Sequence, residues 1–307
     1  MTPPLKEVEV VGLGQACVDF LGRIPWYPNM DGKVEISEFH IQCGGPASTA
    51  LVTLSRLGIR CSFLGAIGDD EFGKKILKGL KEESIDTSHL RIRSGHTSQF
   101  AFIAIDMESG NRTIFWYRGS APHLLPEEVD LSCFSGAKIL HVDGLMLDAA
   151  IEAARQARSM GMKVVMDAGT FREKTPELIP LVDVLIASEE FARPLIENSI
   201  TPESAIEILK KMGAKDVIIT LGSRGSVGME EGEFIYQKAY KVKAIDTTGA
   251  GDVYHGAYIY GILKGWGMRQ CMNFASAVAA IKCKKIGARA GIPTLSEIEN
   301  LFPDCGV

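Results

Sequence analysis

The sequence predicts an α/β protein: a three-layer α/β/α sandwich with a mostly parallel central sheet, plus a small β-sheet lid. Three observations predict it. Short apolar runs alternate with amphipathic segments along most of the 307 residues, the pattern of parallel strands joined by helices. Most of those runs are unbroken, as strands buried on both faces require. Two regions, 19–41 and 99–118, instead carry period-two patterns with no helix between them, and they read as antiparallel strands outside the main sheet. No repeat, linker or low-complexity tract interrupts the chain. Residues 1–307 therefore read as one domain, with lid segments near 16–42 and 97–119.

Taken in order, the strand-like runs are Val8–Val11, Cys61–Ala66, Lys138–Val142, Lys163–Asp167, Asp183–Ala187 and Asp216–Leu221. Helical periodicity occupies Pro46–Leu57, Glu71–Glu83, Met146–Met160, Pro202–Met212, Gly251–Leu263 and Met268–Lys285. Several of these end at a glycine (Gly58, Gly161, Gly213), which takes the left-handed conformation that stops a helix. The lid segments include Gln99–Ile105 and Arg112–Tyr117, whose aromatic residues Phe115, Trp116 and Tyr117 suit burial against a second subunit. A homodimer through the lid is expected.

Composition narrows the function. With 33 basic against 38 acidic residues, nothing suggests nucleic acid or an anionic membrane as a partner. No apolar run approaches bilayer length, and Met1–Glu7 lacks a hydrophobic signal core, so a cytoplasmic protein is expected. Seven scattered cysteines without a C-x-x-C pair and six dispersed histidines argue against a disulfide framework or a structural metal.

Chemistry concentrates in Asp246-Thr247-Thr248-Gly249-Ala250-Gly251-Asp252, which opens directly onto a helix. Small residues let main-chain N–H groups converge, and the helix N-terminus adds partial positive charge. The result is an anion socket with a carboxylate, Asp252, at its edge. That pairing suits a phosphotransferase, in which the anion is the group in flight and the carboxylate takes the acceptor proton. Beside the helix end, Asp252 is expected to keep a low pKa.

Other glycine-rich stretches divide. Gly68–Lys75 nearly spells a phosphate loop, but Asp69, Asp70 and Glu71 would repel phosphate and Lys75 replaces the magnesium-binding hydroxyl. It reads as a helix start. Gly12-Leu13-Gly14 begins like a dinucleotide fingerprint, yet Cys17 stands where the third glycine belongs. Asp19 beyond it is a candidate ligand group at a strand's C-terminal end. Cys43-Gly44-Gly45-Pro46 is a second glycine turn onto a helix, and Thr220-Leu221-Gly222-Ser223-Arg224-Gly225 offers hydroxyls and small residues suited to a nucleotide. Arg112 and Arg118 flank the second lid segment. They read equally as contacts to an acidic substrate or the nucleotide and as surface charges. His255, three residues past Asp252, reads as packing.

Together these segments resemble the ribokinase-like (PfkB) carbohydrate kinases along essentially the whole chain. Asp246–Asp252 fits the family's D-T-x-G-A-G-D signature; Gly44-Gly45, Gly65-x-x-Gly68-Asp69-Asp70, Thr220-x-Gly222-x-x-Gly225 and Gly287-Ala288-x-x-Gly291-Ile292-Pro293 follow in register. The resemblance implies an ATP-dependent, Mg²⁺-assisted kinase acting on a hydroxyl of a small sugar or sugar acid. It implies Asp252 as base and Gly249, Ala250 and Gly251 as the anion hole. It implies Asp19, Gly44, Gly45 and Thr49, with Arg118 as a candidate, around the sugar. Ser188, Thr220, Gly222, Ser223, Gly225 and Ser276 then face the nucleotide, while Asp246, Thr248 and Gly287 stand where many members hold K⁺. A nucleoside kinase or a non-catalytic binding protein on the same scaffold remains the alternative. The chain also departs from the family: Thr49 replaces a usual Asn, and Ser188 replaces the Asn of an N-x-x-E motif. Ser188 and His141–Gly144 lean towards the ketohexokinase and sulfosugar kinase branches, whereas Leu145 stands where those branches tend to carry Arg.

Overall fold

The computed structural model describes residues 7–195 and 201–305; of the Met1–Glu7 stretch expected to lack a signal core, all but Glu7 lies outside them. The chain runs through β1 (Val10–Leu13), β2 (Cys17–Ile24), β3 (Glu38–Gly44), α1 (Pro46–Arg56), β4 (Cys61–Gly68), α2 (Glu71–Glu82) and β5 (Leu90–Arg93). Next come β6 (Phe100–Asp106), β7 (Arg112–Tyr117), β8 (Ile139–Val142), α3 (Leu147–Ser159), β9 (Lys163–Ala168) and the one-turn α4 (Thr175–Leu178). Then follow β10 (Val184–Ser188), the short α5 (Glu189–Ala192), α6 (Pro202–Lys211), β11 (Asp216–Thr220), β12 (Ser226–Glu230) and β13 (Glu233–Gln237). Three helices close the chain: α7 (Ala250–Leu263), α8 (Met268–Lys282) and α9 (Leu295–Leu301).

Among the described residues the main sheet has nine strands in the order β13-β12-β11-β10-β9-β8-β1-β4-β5. From β11 to β5 every pair is parallel; at the other edge the β11–β12 and β12–β13 pairs are antiparallel, so β12 alone runs against the rest. Alternate strand residues serve opposite faces. Val10 joins the cluster under α1, α7 and α8, while Val11 and Leu13 join the one under α3 and α6. The three-layer expectation therefore holds. β1 pairs with β4 on one side and β8 on the other, so the strand order reverses there, and ligands of open α/β sheets bind at the carboxyl ends beside such a point. Helix α7 is buried on nearly every side, as a helix enclosed between neighbours must be. The Gly68–Lys75 stretch is a helix start, with the Asp70 side chain capping α2 through Gly73 N–H at 2.9 Å.

The four-stranded sheet, order β3-β2-β6-β7, differs from expectation in one respect. Its two hairpins are antiparallel internally, but β2 and β6 meet in parallel. Register assigns its faces: Asp19, Leu21, Gln42, Ala101, Ile103 and Arg112 share one, and Phe20, Ile41, Phe102, Phe115 and Tyr117 share the other. The first face packs on the core through Leu21, Ile103 and Ile105 with Ile286.

Candidate active site

The Asp246–Asp252 loop is tied to its surroundings at almost every polar atom. Asp246 Oδ1 accepts from the Thr248 amide (2.8 Å) and hydroxyl (2.6 Å), and Oδ2 accepts from the Gly287 amide (2.7 Å). The Ile245 and Asp246 amides both donate to Cys283 O, at the end of α8. Gly249 caps α7 with φ 73°, and a Cβ there would come within 2.6 Å of Ala288 Cβ; no other residue fits. The first intrahelical bond of α7 is Val253 N–H to Gly249 O, 3.0 Å, so amides before it stay open to a ligand. The Ala250 amide is the exception, turning back to Thr247 O at 3.2 Å. Around Gly251 a Cβ would meet nothing within 4 Å, so that side faces open space.

Asp252 occupies the first turn beside this opening. Its pKa is raised, not low as the sequence suggested: burial pushes it up, and the charges of His255, Arg112 and Lys282 offset only part of that. The helix end alone does not decide the pKa: Asp252 is half-buried, and the packing around its carboxylate desolvates it. A raised value improves the group as a base near neutrality.

His255 does more than pack. Its Nδ1 lies 2.6 Å from Gly251 O, and its Nε2 lies 3.2 Å from Ile186 O and 3.5 Å from Asp167 Oδ1. The ring thereby fixes the start of α7 to the carboxyl ends of β9 and β10. Asp167 and Asp143, which sequence reasoning missed, sit at the carboxyl ends of β9 and β8. Burial raises Asp167 to about 7 and Asp143 to about 6, and the negative charge of Asp252 pushes both the same way. Asp143 also accepts the Gln15 and Leu145 amides at 2.6 and 3.1 Å. The available signal was an acid closing a buried apolar run.

Asp19 lies within β2, not just past β1 as the sequence suggested, because the strand resumes at Cys17. It is 4% exposed, takes a hydrogen bond from the Cys17 thiol (3.1 Å), and burial raises its pKa to about 6. The negative charge of Asp252 adds to that shift. A Cβ on Gly44 would lie 1.9 Å from Asp19 Oδ2, and Gly45 (φ 98°) caps α1. Thr49 follows one turn later, its buried Oγ1 without a partner among the described residues. Arg289, also missed, is buried beside them and donates to Ser48 Oγ (2.9 Å) and Gly44 O (3.3 Å). Of the two lid arginines, Arg112 reaches Thr247 Oγ1 at 3.1 Å, whereas Arg118 is exposed near His123.

Of the residues expected to face a nucleotide, Ser188 and Thr220 end the adjacent strands β10 and β11. Ser188 uses its hydroxyl to cap α5 through Phe191 N–H (3.2 Å), and Thr220 donates to Ala187 O (3.2 Å). Gly222 is left-handed (φ 59°) with open space beside it. Gly225 (φ 104°) is a tight turn, where a Cβ would lie 2.0 Å from Gln237 O. Ser223 lies between them, Arg224 pairs with Glu189 across the two loops, and Ser276 is buried on α8.

The expected K⁺ position does not fit a free ion. The Asp246 carboxylate already accepts three hydrogen bonds, and its main-chain oxygen accepts the Lys282 ammonium at 2.9 Å.

Comparison with known proteins identifies the family. The family description "pfkB family carbohydrate kinase" matches residues 7–295, and the chain belongs to that family. It is 30% identical over 295 residues to a ribokinase of Haemophilus influenzae, covering 93% of this chain and 95% of the relative. It is 31% identical over 322 residues to a 5-dehydro-2-deoxygluconokinase of Shouchella clausii, covering 97% of each. The solved ribokinase of Thermotoga maritima shares the fold at TM-score 0.82 and 24% identity, over 97% of this chain and 100% of that one.

Proposed function

We propose that this protein transfers the γ-phosphoryl group of ATP to a hydroxyl of a small sugar or sugar acid, with Asp252 as general base. One observation carries the reading: Asp252 stands in the first turn of α7, beside the amides that Gly249 leaves free of intrahelical bonds and close enough to Asp19 for its charge to act on that carboxylate. In the transfer, the bond from phosphorus to the ADP oxygen breaks and a bond to the acceptor oxygen forms. Asp252 receives the acceptor's proton. The amides of Gly251 and Asp252 face the oxygens of the migrating group, which Gly249 lets approach closely. Arg112, brought in by the lid, adds positive charge on the same side.

Asp19 and Thr49 supply the polar contacts to the sugar, with Gly44 and Gly45 giving it room, and the exposed Arg118 is a candidate contact to an acidic substrate. Gly222, Ser223 and Thr220 line the nucleotide, Ser276 the base side, and Ser188 and Gly225 shape the loops. Among the described residues no three His, Cys, Asp or Glu side chains gather as a metal site. Mg²⁺ would therefore be held chiefly through ATP, and it would supply neutralisation of the phosphate charge.

The main sheet and the lid form one catalytic unit. Phe39, Ile41, Phe115 and Tyr117 on the outer lid face are 45–58% exposed, and they form the surface through which two copies pair. Among the described residues no helix is long and apolar enough to cross a membrane, and we place the enzyme in the cytoplasm.

The two relatives differ in their named substrates, so the test is a coupled ADP-release screen. Pentoses, ketohexoses, keto-deoxy sugar acids and nucleosides should separate cleanly, with sustained turnover on one sugar or sugar acid and none on nucleosides. Turnover on nucleosides alone, or on nothing, would overturn the assignment.

A further inference from the structure

Lys282 closes α8, and its side chain runs under the Asp246–Gly249 loop. None of it is exposed. A buried ammonium is costly unless oxygens of negative charge or dipole surround it, and three such sources converge here. The Asp246 carbonyl accepts it at 2.9 Å. Burial lowers the pKa of Lys282, with the Arg112 charge acting the same way, and the carboxylates of Asp246 and Asp252 oppose this by favouring the charged form. The C-terminal end of α8 presents the negative pole of the helix dipole. The helix end and the loop are also tied directly, through Cys283 O and the Ile245 and Asp246 amides.

We propose that Lys282 is a tethered replacement for a monovalent cation: its ammonium supplies the positive charge beneath the anion hole, so that the enzyme needs no potassium. The inference rests on the kinase reading above. An ammonium group and a potassium ion are similar in size, and both bind carbonyl oxygen. A charge carried on the chain is present at every salt concentration and incurs no cost of immobilising a free ion on binding. Lys282 is thus a positioning residue. It holds the main-chain oxygen of Asp246, and through it the loop that presents Gly249 and Gly251.

Two arms test this. In the first, wild-type protein is melted and assayed in tetramethylammonium buffer, with KCl titrated against equal tetramethylammonium chloride. The expected result is no potassium-specific change in Tm and a change in kcat/KM below about twofold. A potassium-specific gain of about tenfold or more in kcat/KM, or a potassium-specific rise in Tm, overturns the proposal. In the second, Lys282→Ala vacates the position. Its turnover should fall at least about tenfold in tetramethylammonium and recover with KCl or ammonium chloride, and KCl should raise its Tm. A folded variant no more responsive to potassium than wild type overturns the placement. Should Lys282→Ala fail to fold, the wild-type arm decides alone. If nothing is phosphorylated in either salt, the kinase reading fails separately, while the wild-type melting data still judge Lys282.

Discussion

The Asp246–Asp252 loop and the small sheet above it meet at Thr247, and they are built on opposite plans. In the loop, the Asp246 carboxylate and carbonyl hold four separate donors, and Gly249 is hemmed in by Ala288. In the sheet, β7 is exposed along its whole length. Its links to the loop are Arg112 to Thr247 Oγ1 and the Thr247 hydroxyl to Gly110 O at 3.4 Å. The contrast separates two tasks. Phosphoryl transfer needs donors fixed to fractions of an ångström, and a loop anchored through Asp246 can hold the open first-turn amides in that way. Substrate entry and closure need a surface held by few bonds, which a hairpin over a cavity provides.

Changes that leave Asp252 in place should break or sharpen this contrast in a set order. The largest effect is expected for Asp246→Ala, which strands the Gly287 and Thr248 amides in the interior. Stability should fall by about 3–5 kcal/mol, with turnover lost, as read by urea unfolding and ADP release. A loss below about 1 kcal/mol would mean that the loop is not held as described.

Asp19, on the inner lid face, comes second. Its folded pKa of about 6 exceeds the unfolded value of 3.8, so the folded state binds the proton more tightly. The associated stability is complete below the unfolded value and is lost as pH rises to about 6. At pH 8 the buried charge costs up to about 3 kcal/mol. Asp19→Asn should therefore melt higher than wild type at pH 8, and the gap should narrow towards pH 4. A Tm difference independent of pH contradicts this.

Arg112→Gln should have the smallest effect. Its side chain is exposed, so stability should move by less than about 0.5 kcal/mol, while kcat/KM for ATP drops about tenfold through weaker phosphate contact. Unchanged kinetics would remove Arg112 from the reaction.

Much of this was legible in the sequence. Helix α6 and strands β9 to β11 fall within a residue or so of their apolar runs, because continuous hydrophobicity has few other uses in an α/β chain. Where boundaries moved, contacts distant in sequence moved them. The first strand was expected at Val8–Val11 but runs to Leu13, since Gly12 does not end it; it lies flat against Leu51, where a Cβ would approach within 2.6 Å of the side chain. Helix α8 was expected to reach Lys285 and stops at Lys282, where Cys283 O turns to the Asp246 loop. The parallel β2–β6 pairing joins segments some eighty residues apart, and no local pattern encodes it. Within the site, D-T-x-G-A-G-D announced the loop and the acid that closes it, Asp252. The raised pKa of Asp252, the buried acids Asp143 and Asp167, and the Lys282 contact arise only when layers close over one another.

The account stands or falls on Asp252. Asp252→Asn keeps the shape of the carboxylate and removes its basicity, so single-turnover phosphoryl transfer should fall by about a thousandfold or more, while ATP affinity measured by calorimetry stays within about threefold of wild type. A folded variant that binds ATP normally and keeps most of its transfer rate would contradict the central claim.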